Sequence, residues 1–249
     1  MLVLLPPSET KRPGGSGAPL APDGLALPEL GPVRERAVAA LVALSGYESH
    51  AARVLKLSPR QLAEVAANAE LEVAPTMPAV DRYTGVLYDA LDAPSLTAPA
   101  RRWLGGHVMI HSAPWGPIGA LDPIPYYRMG AGVTLPGLPP ARRVWAEAVT
   151  AALRARAPRF TLDLRSEAYA ALGPLPAECP SAFVRVVSAG ADGAVRALNH
   201  FNKHAKGALV RQLATARPRV GSRDALLRWA EASGLEMRPG APGEVELRV

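Results

Sequence analysis

The sequence MLVLLPPSETK, residues 1–11, is the stretch around which the rest of the fold is expected to assemble. Its first five residues are apolar and are followed by Pro6 and Pro7, a pattern typical of a short buried strand. Polar groups at the end of a buried strand often line a cleft, so Ser8 and Lys11 are candidates for a binding site. The segment lacks the glycine and lysine spacing of a Walker loop. A Ser8–Lys11 nucleophile pair stays open as an alternative.

Outward from this strand, hydrophobic periodicity and turn residues predict alternating helices and strands. Residues 12–32 form a Pro- and Gly-rich loop, and residues 33–70 are helical with a new helix opening at 58–59. The remaining predicted elements are a short helix or turn at 81–91, a strand at 108–110, a helix at 141–156, a strand at 160–164, a β-hairpin of 183–187 and 194–198 around a turn at 189–193, a helix to about 217, a helix from 222 or 224, and a strand at 245–249. Without repeats or a clear linker, the pattern predicts a single α+β domain over residues 1–249, with a mixed sheet surrounded by helices.

Composition narrows the class of protein. Of the 249 residues 49% are hydrophobic, which indicates a globular chain, and the formal net charge is +6 with a pI near 9.8. A basic balance favours a polyanionic partner such as DNA, although arginine-rich coding alone would also raise the pI. No apolar run is long enough to span a membrane and no signal peptide is recognisable, so we expect a cytoplasmic protein with no membrane partner.

Two further patterns bear on metals and disulfides. Cys179 is the single cysteine, which excludes an intrachain disulfide. His200 and His204 are four residues apart and could face one way, but no third ligand stands out nearby. We therefore predict neither a metal site nor a cofactor.

Lysine is rare in this chain, with four lysines against 24 arginines, yet Lys203 and Lys206 are three residues apart. A retained lysine offers a compact ammonium group whose pKa can be tuned. The segment follows a predicted strand and opens a helix on which Lys203, Gly207 and Arg211 share a face. Helix N–H groups beside lysines favour a phosphate or carboxylate ligand, whereas a solvated helix face is the plainer alternative.

Aromatic residues are concentrated near arginine in a chain that is otherwise poor in them. Tyr83, Trp115 and the run 126–128, which reads YYR, would suit base stacking or a planar ligand. Packing in the core or in loops is the alternative interpretation. The sequence carries no Ser-His-Asp signature, GxGxxG, CxxC pair or HExxH motif, so enzymatic activity stays undecided.

Taken in order, these segments resemble the YaaA family of peroxide-stress proteins. The resemblance runs nearly end to end and is carried by LVLLPPSETK (2–11), YTGVLY (83–88), SAPWG (112–116), LD (121–122), YR (127–128), DLRS (163–166) with Tyr169, HFNK (200–203) and KG (206–207). Two positions depart from the family pattern. Thr10 stands where the family commonly has glycine, and Gly119-Ala120 stands where it commonly has an Arg-Pro pair.

The resemblance implies a single α+β domain with a helix-hairpin-helix-like element, for which residues 40–68 are the best candidate, and a positively charged cleft. It also implies DNA binding and a cytoplasmic role in limiting oxidative damage, linked to lowering free iron. The residues that match the family's polar set are Ser8, Lys11, Tyr83, Ser112, Tyr127, Arg128, Ser166, Lys203 and Lys206. With Trp115, Asn202 and Arg211 they form the predicted site for an anionic ligand.

Three functions remain open at this point. The first is a stress protein that binds DNA, double-stranded or structured, through a basic cleft. The second is an enzyme that acts on a small anionic or nucleotide-like substrate in the same cleft. The third is a structural or partner-binding protein, in which Ser8, Tyr127 and Lys203 would lie far apart and exposed.

Overall fold

A central seven-stranded sheet organises the protein. The computed structural model describes residues 1–187 and 195–249, and it describes only the backbone of Pro22 and of residues 195–199. The strands are β1 (Leu2–Leu5), β2 (Met77–Pro78), β3 (Val108–Ser112), β4 (Gly116–Gly119), β5 (Pro123–Ile124), β6 (Thr161–Asp163), β7 (Ser181–Val187), β8 (Met237–Pro239) and β9 (Glu244–Arg248). The strand order is β4-β3-β1-β6-β7-β9-β8, and β2 pairs separately with β5.

Helices surround this sheet. They are α1 (Gly31–Ser45), α2 (Glu48–Val54), α3 (Ala63–Ala69), α4 (Ala79–Arg82), α5 (Val86–Leu91), α6 (Ala98–His107), α7 (Ala141–Arg156), α8 (Glu167–Ala171), α9 (Val195–Ala216) and α10 (Arg223–Ala232). The five inner strands of the large sheet run parallel to one another; they are β3, β1, β6, β7 and β9. The edge strands β4 and β8 are antiparallel to their neighbours β3 and β9. The prediction of a single domain with a mixed sheet surrounded by helices is confirmed.

The first strand is buried on both faces, as its unbroken apolar run predicts. Leu2 and Leu4 pack in one hydrophobic cluster with Trp145 of α7, whereas Val3 and Leu5 pack in the other cluster, which includes residues of α5, α6 and α9. Because neighbouring side chains of a strand point to opposite faces, only a strand between two helical layers needs apolar residues at every position. β1 therefore lies at the centre of both cores.

The Pro- and Gly-rich loop that follows β1 is held against the domain by a buried arginine. Arg82 donates hydrogen bonds to the carbonyl oxygens of Arg12, Gly14, Pro75 and Ile124. Its guanidinium is buried, and the desolvation lowers its pKa to about 10. The bonds to Arg12 and Gly14 satisfy carbonyl groups of the loop, and the bond to Ile124 joins the loop to β5. This arginine therefore holds the loop in place and adds little to the positive charge of the surface.

The helix α9 approaches α5 closely because Gly207 has no side chain. A Cβ atom at this position would lie 2.0 Å from the carbonyl oxygen of Leu87 and 2.9 Å from Cβ of Ala90. The glycine that suggested close approach of a ligand or a neighbouring backbone is thus in contact with a neighbouring backbone. The α5–α9 contact fixes α9 beside the loop that carries Tyr83.

The predicted β-hairpin is wrong. Residues 195–198, expected as its second strand, form the first turn of α9, and the turn at 189–193 lies outside the described residues. Arg, Ala and Leu in this segment are good helix formers, and the helix they start continues without a break to Ala216. The partner of β7 on that side is instead β9, which runs parallel to it.

The region proposed for a helix-hairpin-helix-like element, residues 40–68, contains the end of α1, all of α2 and most of α3. The element stays a prediction. Within the described part of the chain, no helix combines the length and apolar character needed to cross a bilayer.

Candidate functional site

The carboxyl ends of three adjacent parallel strands meet at one edge of the sheet. From β1 the chain continues to β3, which lies on one side of β1 in the sheet. The later strands β6 and β7 lie on the other side. In open sheets with parallel strands, ligands bind outside the carboxyl ends where the direction of winding reverses. Ser8 follows β1, Ser112 ends β3 and Ser166 follows β6. We call the surroundings of these three serines the carboxyl-edge site.

A hydroxyl cluster lies beside Lys11 at this edge. The hydroxyl of Ser112 donates to that of Tyr127 over 3.1 Å, and the hydroxyls of Tyr127 and Tyr83 are 2.9 Å apart. The Lys11 ammonium nitrogen is 4.1 Å from the centroid of the Tyr127 ring and 5.7 Å from that of Tyr83. Trp115 meets the Tyr127 ring edge to face at 4.9 Å. Five of the predicted site residues are therefore packed together, although they are up to 116 positions apart in sequence.

Burial changes the acid–base chemistry of Lys11. Desolvation, and next the charge of Arg128, lower the pKa of the Lys11 ammonium to about 7, although Glu64 and Glu9 act in the opposite direction. Its Nζ donates to the backbone carbonyl of Glu9 over 3.2 Å. An amine with a pKa near 7 is present in both protonation states at neutral pH, which suits proton transfer. Burial also raises the pKa of Tyr127, so that phenol stays protonated.

Arg128 connects the site to its acidic neighbours. Its guanidinium donates to the carbonyl of Glu9 over 3.1 Å, and lies 3.6 Å from the Glu9 carboxylate and 3.8 Å from that of Glu64. The backbone of Arg128 is held on both sides by the amide of Asn68. The Glu9 side chain is 84% exposed, so its long ion pair is weak. Arg128 is therefore fixed in place but only loosely neutralised.

The threonine that departs from the family pattern has a local role. The Thr10 hydroxyl is 3.2 Å from that of Ser8 and donates to the carbonyl of Thr84 over 3.2 Å. Gly85 has a φ of 91° and a Cβ there would lie 3.2 Å from the Thr10 hydroxyl. The left-handed backbone and the tight contact together account for glycine at position 85. Thr10 thus ties the Ser8 loop to the loop that leads into α5.

The second departure is also explained by packing. The backbone N–H of Gly119 donates to Asp122 Oδ2 over 2.8 Å, and the same oxygen accepts a bond from the backbone of Ala26. A Cβ at position 119 would lie 2.7 Å from Asp122 Oδ1. A long side chain such as arginine has no space there unless Asp122 moves.

A buried ionic network lies at the same edge and was missed in the sequence. Asp163 and Arg165 form a bidentate pair with bonds of 2.9 and 2.7 Å, and Arg165 also donates to the carbonyl of Gly173. The Arg165 Nη1 is 3.1 Å from His111 Nδ1. A guanidinium can only donate, so Nδ1 is the acceptor and the imidazole carries its proton on Nε2. Burial, and next the charge of Arg165, hold the His111 pKa well below its usual value.

The protonated nitrogen of this histidine has no hydrogen-bond partner among the described residues, and the same is true of the indole nitrogen of Trp115. Both atoms are buried donors, which are rarely left unsatisfied. Of the motif DLRS (163–166) only Ser166 was predicted for the site, and nothing in the sequence distinguished His111 from a packed core histidine. Only the parallel pairing of the strands brings it within reach of Arg165.

Lys206 lies beside the end of β6 and the middle of β7. Its ammonium nitrogen is 5.5 Å from the Phe183 ring centroid. Desolvation lowers the Lys206 pKa to about 8, while the charge of Asp163 raises it and that of Arg185 lowers it. Lys206 is thus a second buried lysine near the same edge, on the side of β7.

The other predicted residues are more peripheral. Lys203 is exposed, Asn202 is half-buried, and Ser166 is exposed at the start of α8. Arg211 donates instead to the carbonyl oxygens of Leu91 and Asp92 at the end of α5, and so has a structural role. Within the part of the chain that is described, no three His, Cys, Asp or Glu side chains are grouped so as to hold a metal ion.

Comparison with known proteins identifies the family of this chain. The family model described as "Peroxide stress protein YaaA" matches residues 1–240. A UPF0246 protein of Corynebacterium efficiens is 47% identical over 220 residues, covering 87% of this chain and 86% of that protein. One of Corynebacterium glutamicum is 41% identical over 239 residues, covering 94% of each, and one of Streptomyces coelicolor is 44% identical over 217 residues, covering 86% and 82%. The chain therefore belongs to the YaaA (UPF0246) family of peroxide stress proteins.

Proposed function

We propose that this family member acts in the cytoplasm during peroxide stress by binding DNA at the carboxyl-edge site. The observation that carries the proposal is the placement of Lys11 and Arg128 together at the end of β1, where the winding of the sheet reverses. The net charge of +6 supports attraction of a polyanion to the whole molecule. The helix-hairpin-helix-like element predicted for residues 40–68 would supply a further contact with a duplex.

An incoming phosphate would change two groups at this site. It would compete with the exposed carboxylate of Glu9 for Arg128, since that ion pair is long and solvated. It would also raise the pKa of Lys11 above about 7, because a nearby negative charge favours the ammonium form. Binding of DNA is therefore expected to take up a proton near neutral pH, and to weaken as the pH rises above 7.

The test is fluorescence anisotropy with a labelled duplex of about 20 base pairs at low and moderate salt. Lys11→Met is expected to weaken binding to all sequences alike and to reduce the salt dependence, as loss of one phosphate contact does. Arg142→Met removes one exposed positive charge on α7 and serves as the control. The proposal fails if no salt-sensitive binding is found, or if both variants weaken binding equally.

A second candidate is an enzyme that acts on a small anionic or nucleotide-like substrate at the same edge. It is favoured by the chain of hydroxyls from Ser112 through Tyr127 to Tyr83 beside a lysine with a pKa near 7. Groups with strongly shifted pKa values that lie together are typical of catalytic sites. The buried N–H groups of His111 and Trp115, which have no partner among the described residues, could donate hydrogen bonds to substrate oxygens.

Thermal-shift screening with small phosphates and carboxylates separates this candidate from DNA binding. A substrate-like compound is expected to raise the melting temperature of the native protein and not that of Lys11→Met. Stabilisation by duplex DNA alone would count against an enzyme. If a small compound stabilises Lys11→Met as much as the native protein, the compound binds outside the carboxyl-edge site.

A further inference from the structure

A second basic surface lies at the opposite edge of the sheet. It is an open depression of about 660 Å³, next to the amino ends of β1, β3 and β6. Its charged and polar lining residues are His107, Arg159, Arg217, Arg219, Ser222 and Arg228. We call it the arginine depression. It is separated from the carboxyl-edge site by the length of the central strands.

The positive charge of this depression is not neutralised within the described structure. No carboxylate is among its lining residues, and Arg159, Arg217, Arg219 and Arg228 form no ion pair with the described acidic residues. Several arginines elsewhere in the described chain are in ion pairs, as Arg101 is with Asp81. Convergent unpaired cations raise the local potential and attract anions.

Backbone geometry holds two of these arginines in place. A Cβ at Gly221 would lie 2.9 Å from Nε of Arg159, so the guanidinium rests against the backbone just before α10. Arg217 follows α9 with a φ of 51°, in the left-handed region where glycine is favoured.

The depression also presents the start of α10 and an aromatic ring. Ser222 caps this ten-residue helix by accepting a bond from the N–H of Ala225, and its amino end favours negative charge. His107 lies flat on Trp103, with ring centroids 4.5 Å apart and planes inclined by 5°. A bond between His107 Nδ1 and the Trp103 carbonyl fixes the imidazole in the wall.

We propose that the arginine depression binds a free nucleoside polyphosphate. Guanidinium groups bind phosphate oxygens in a bidentate manner, so the arginines would hold the phosphate chain. The fixed imidazole of His107 offers a surface on which a planar base can stack. The volume lies within the range of pockets for small ligands. The site is independent of the carboxyl-edge site, and it does not require that DNA binds there.

The test is calorimetric titration of the full chain with ATP and with pyrophosphate. The double variant Arg219→Gln/Arg228→Gln is expected to weaken both ligands by at least about tenfold, since each lost charge-assisted bond is worth roughly that factor. The matched control, Arg142→Gln/Arg143→Gln, removes two exposed arginines of α7 and should leave both affinities unchanged. Lys11→Met should also leave them unchanged.

His107→Ala separates base recognition from charge. It is expected to weaken ATP several-fold while pyrophosphate binds as before. The proposal is overturned if ATP does not bind, if the control pair weakens it equally, or if the arginine variant affects only an oligonucleotide. That last result would assign the depression to DNA. If the native protein binds ATP but no DNA duplex, the function proposed for the carboxyl-edge site is contradicted and the proposal for the arginine depression is not.

Discussion

Among single residues, Lys11 combines burial of its ammonium group with a position 4.1 Å from the ring centroid of Tyr127. The ring face attracts the charged form, and the carbonyl of Glu9 accepts one bond from it. Desolvation outweighs both, because a single acceptor cannot replace a hydration shell. The folded protein therefore binds this proton less tightly than the unfolded chain does.

Replacing Lys11 by Met should stabilise the protein at neutral pH. The lowered pKa means that folding costs free energy wherever the unfolded lysine is protonated, and each pKa unit corresponds to about 1.4 kcal/mol. After allowance for the lost bond to Glu9, a gain of about 2 kcal/mol at pH 7 is expected. The gain should decrease by up to about 1.4 kcal/mol per pH unit as the pH rises from the folded pKa toward the unfolded value of 10.5. Urea unfolding at several pH values measures it, and a loss of stability at pH 7 would contradict the burial argument.

His111 should make the protein sensitive to acid. Its folded pKa is held well below the usual value, so below about pH 6.5 the unfolded chain gains a proton that the folded chain does not. The free energy of unfolding then falls by up to about 1.4 kcal/mol per pH unit from this residue. His111→Asn keeps an acceptor for Arg165 without titrating. Its unfolding free energy should fall less steeply than the native value between pH 6.5 and 5, and parallel curves would refute the assignment.

Single residues could be predicted from the sequence only where a local motif marks them. Lys11, Tyr83, Ser112 and Tyr127 were predicted because each belongs to a motif that resembles the family. His111 was not, because its role arises from strand pairing across 54 positions of sequence. Arg82 contributes to the net charge of the sequence, but in the fold it is buried and holds two loops together.

At the level of elements, the contact of α5 with α9 depends on one missing side chain. Gly207 lies against the carbonyl of Leu87, and backbone atoms cannot move aside as the end of a side chain can. This contact places α9 next to the loop that carries Tyr83 and Gly85. The α5–α9 contact therefore positions α5, which directly follows the loop of Tyr83 and Gly85.

The variant Gly207→Ala should destabilise the protein by about 1–3 kcal/mol, the usual cost of adding a methyl group where no space exists. Gly106, near the end of α6, has no atom within 4 Å of an ideal Cβ and provides the control. Gly106→Ala should stabilise by about 0.5–1 kcal/mol, since alanine is the better helix former. Thermal unfolding of both variants tests the contrast, and equal effects would show that helix propensity alone governs both positions.

Elements with a complete local pattern were the predictable ones. The helix at 141–156 was predicted with the bounds that the structure shows, because its apolar stripe is regular and a proline precedes it. The prediction of the second strand of the β-hairpin, residues 194–198, was wrong, because five residues carry too little periodicity to separate a strand from the first turn of a helix. The order of the strands could not be derived from any local pattern.

For the molecule as a whole, charge is distributed unevenly between the two edges of the sheet. The carboxyl edge mixes buried lysines and arginines with Glu9, Glu64 and Asp163, whereas the arginine depression has no acidic lining residue. Three arginines, Arg34, Arg82 and Arg165, are fully buried and contribute to folding. The net charge alone therefore does not identify a binding surface.

The pH dependence of global stability should show a maximum between about pH 9 and 10. From pH 7 upward, Lys11 and Lys206 lose protons in the folded protein before they do in the unfolded chain, so stability rises. Above pH 10 the buried phenols of Tyr83, Tyr88 and Tyr127, with raised pKa values, ionise first in the unfolded chain, so stability falls. Thermal melts from pH 7 to 11 measure this curve. A steady decline above pH 7 would contradict the burial of the two lysines.

The central position of β1 has a consequence for biosynthesis. Its two partners are residues 108–110 and 161–163, so more than 150 residues must leave the ribosome before both sides of the strand are paired. Until then an unpaired apolar segment is exposed on the nascent chain, a form prone to aggregate. Slowing translation or depleting chaperones is therefore expected to reduce the yield of this protein more than that of one whose first strand forms a hairpin with the next.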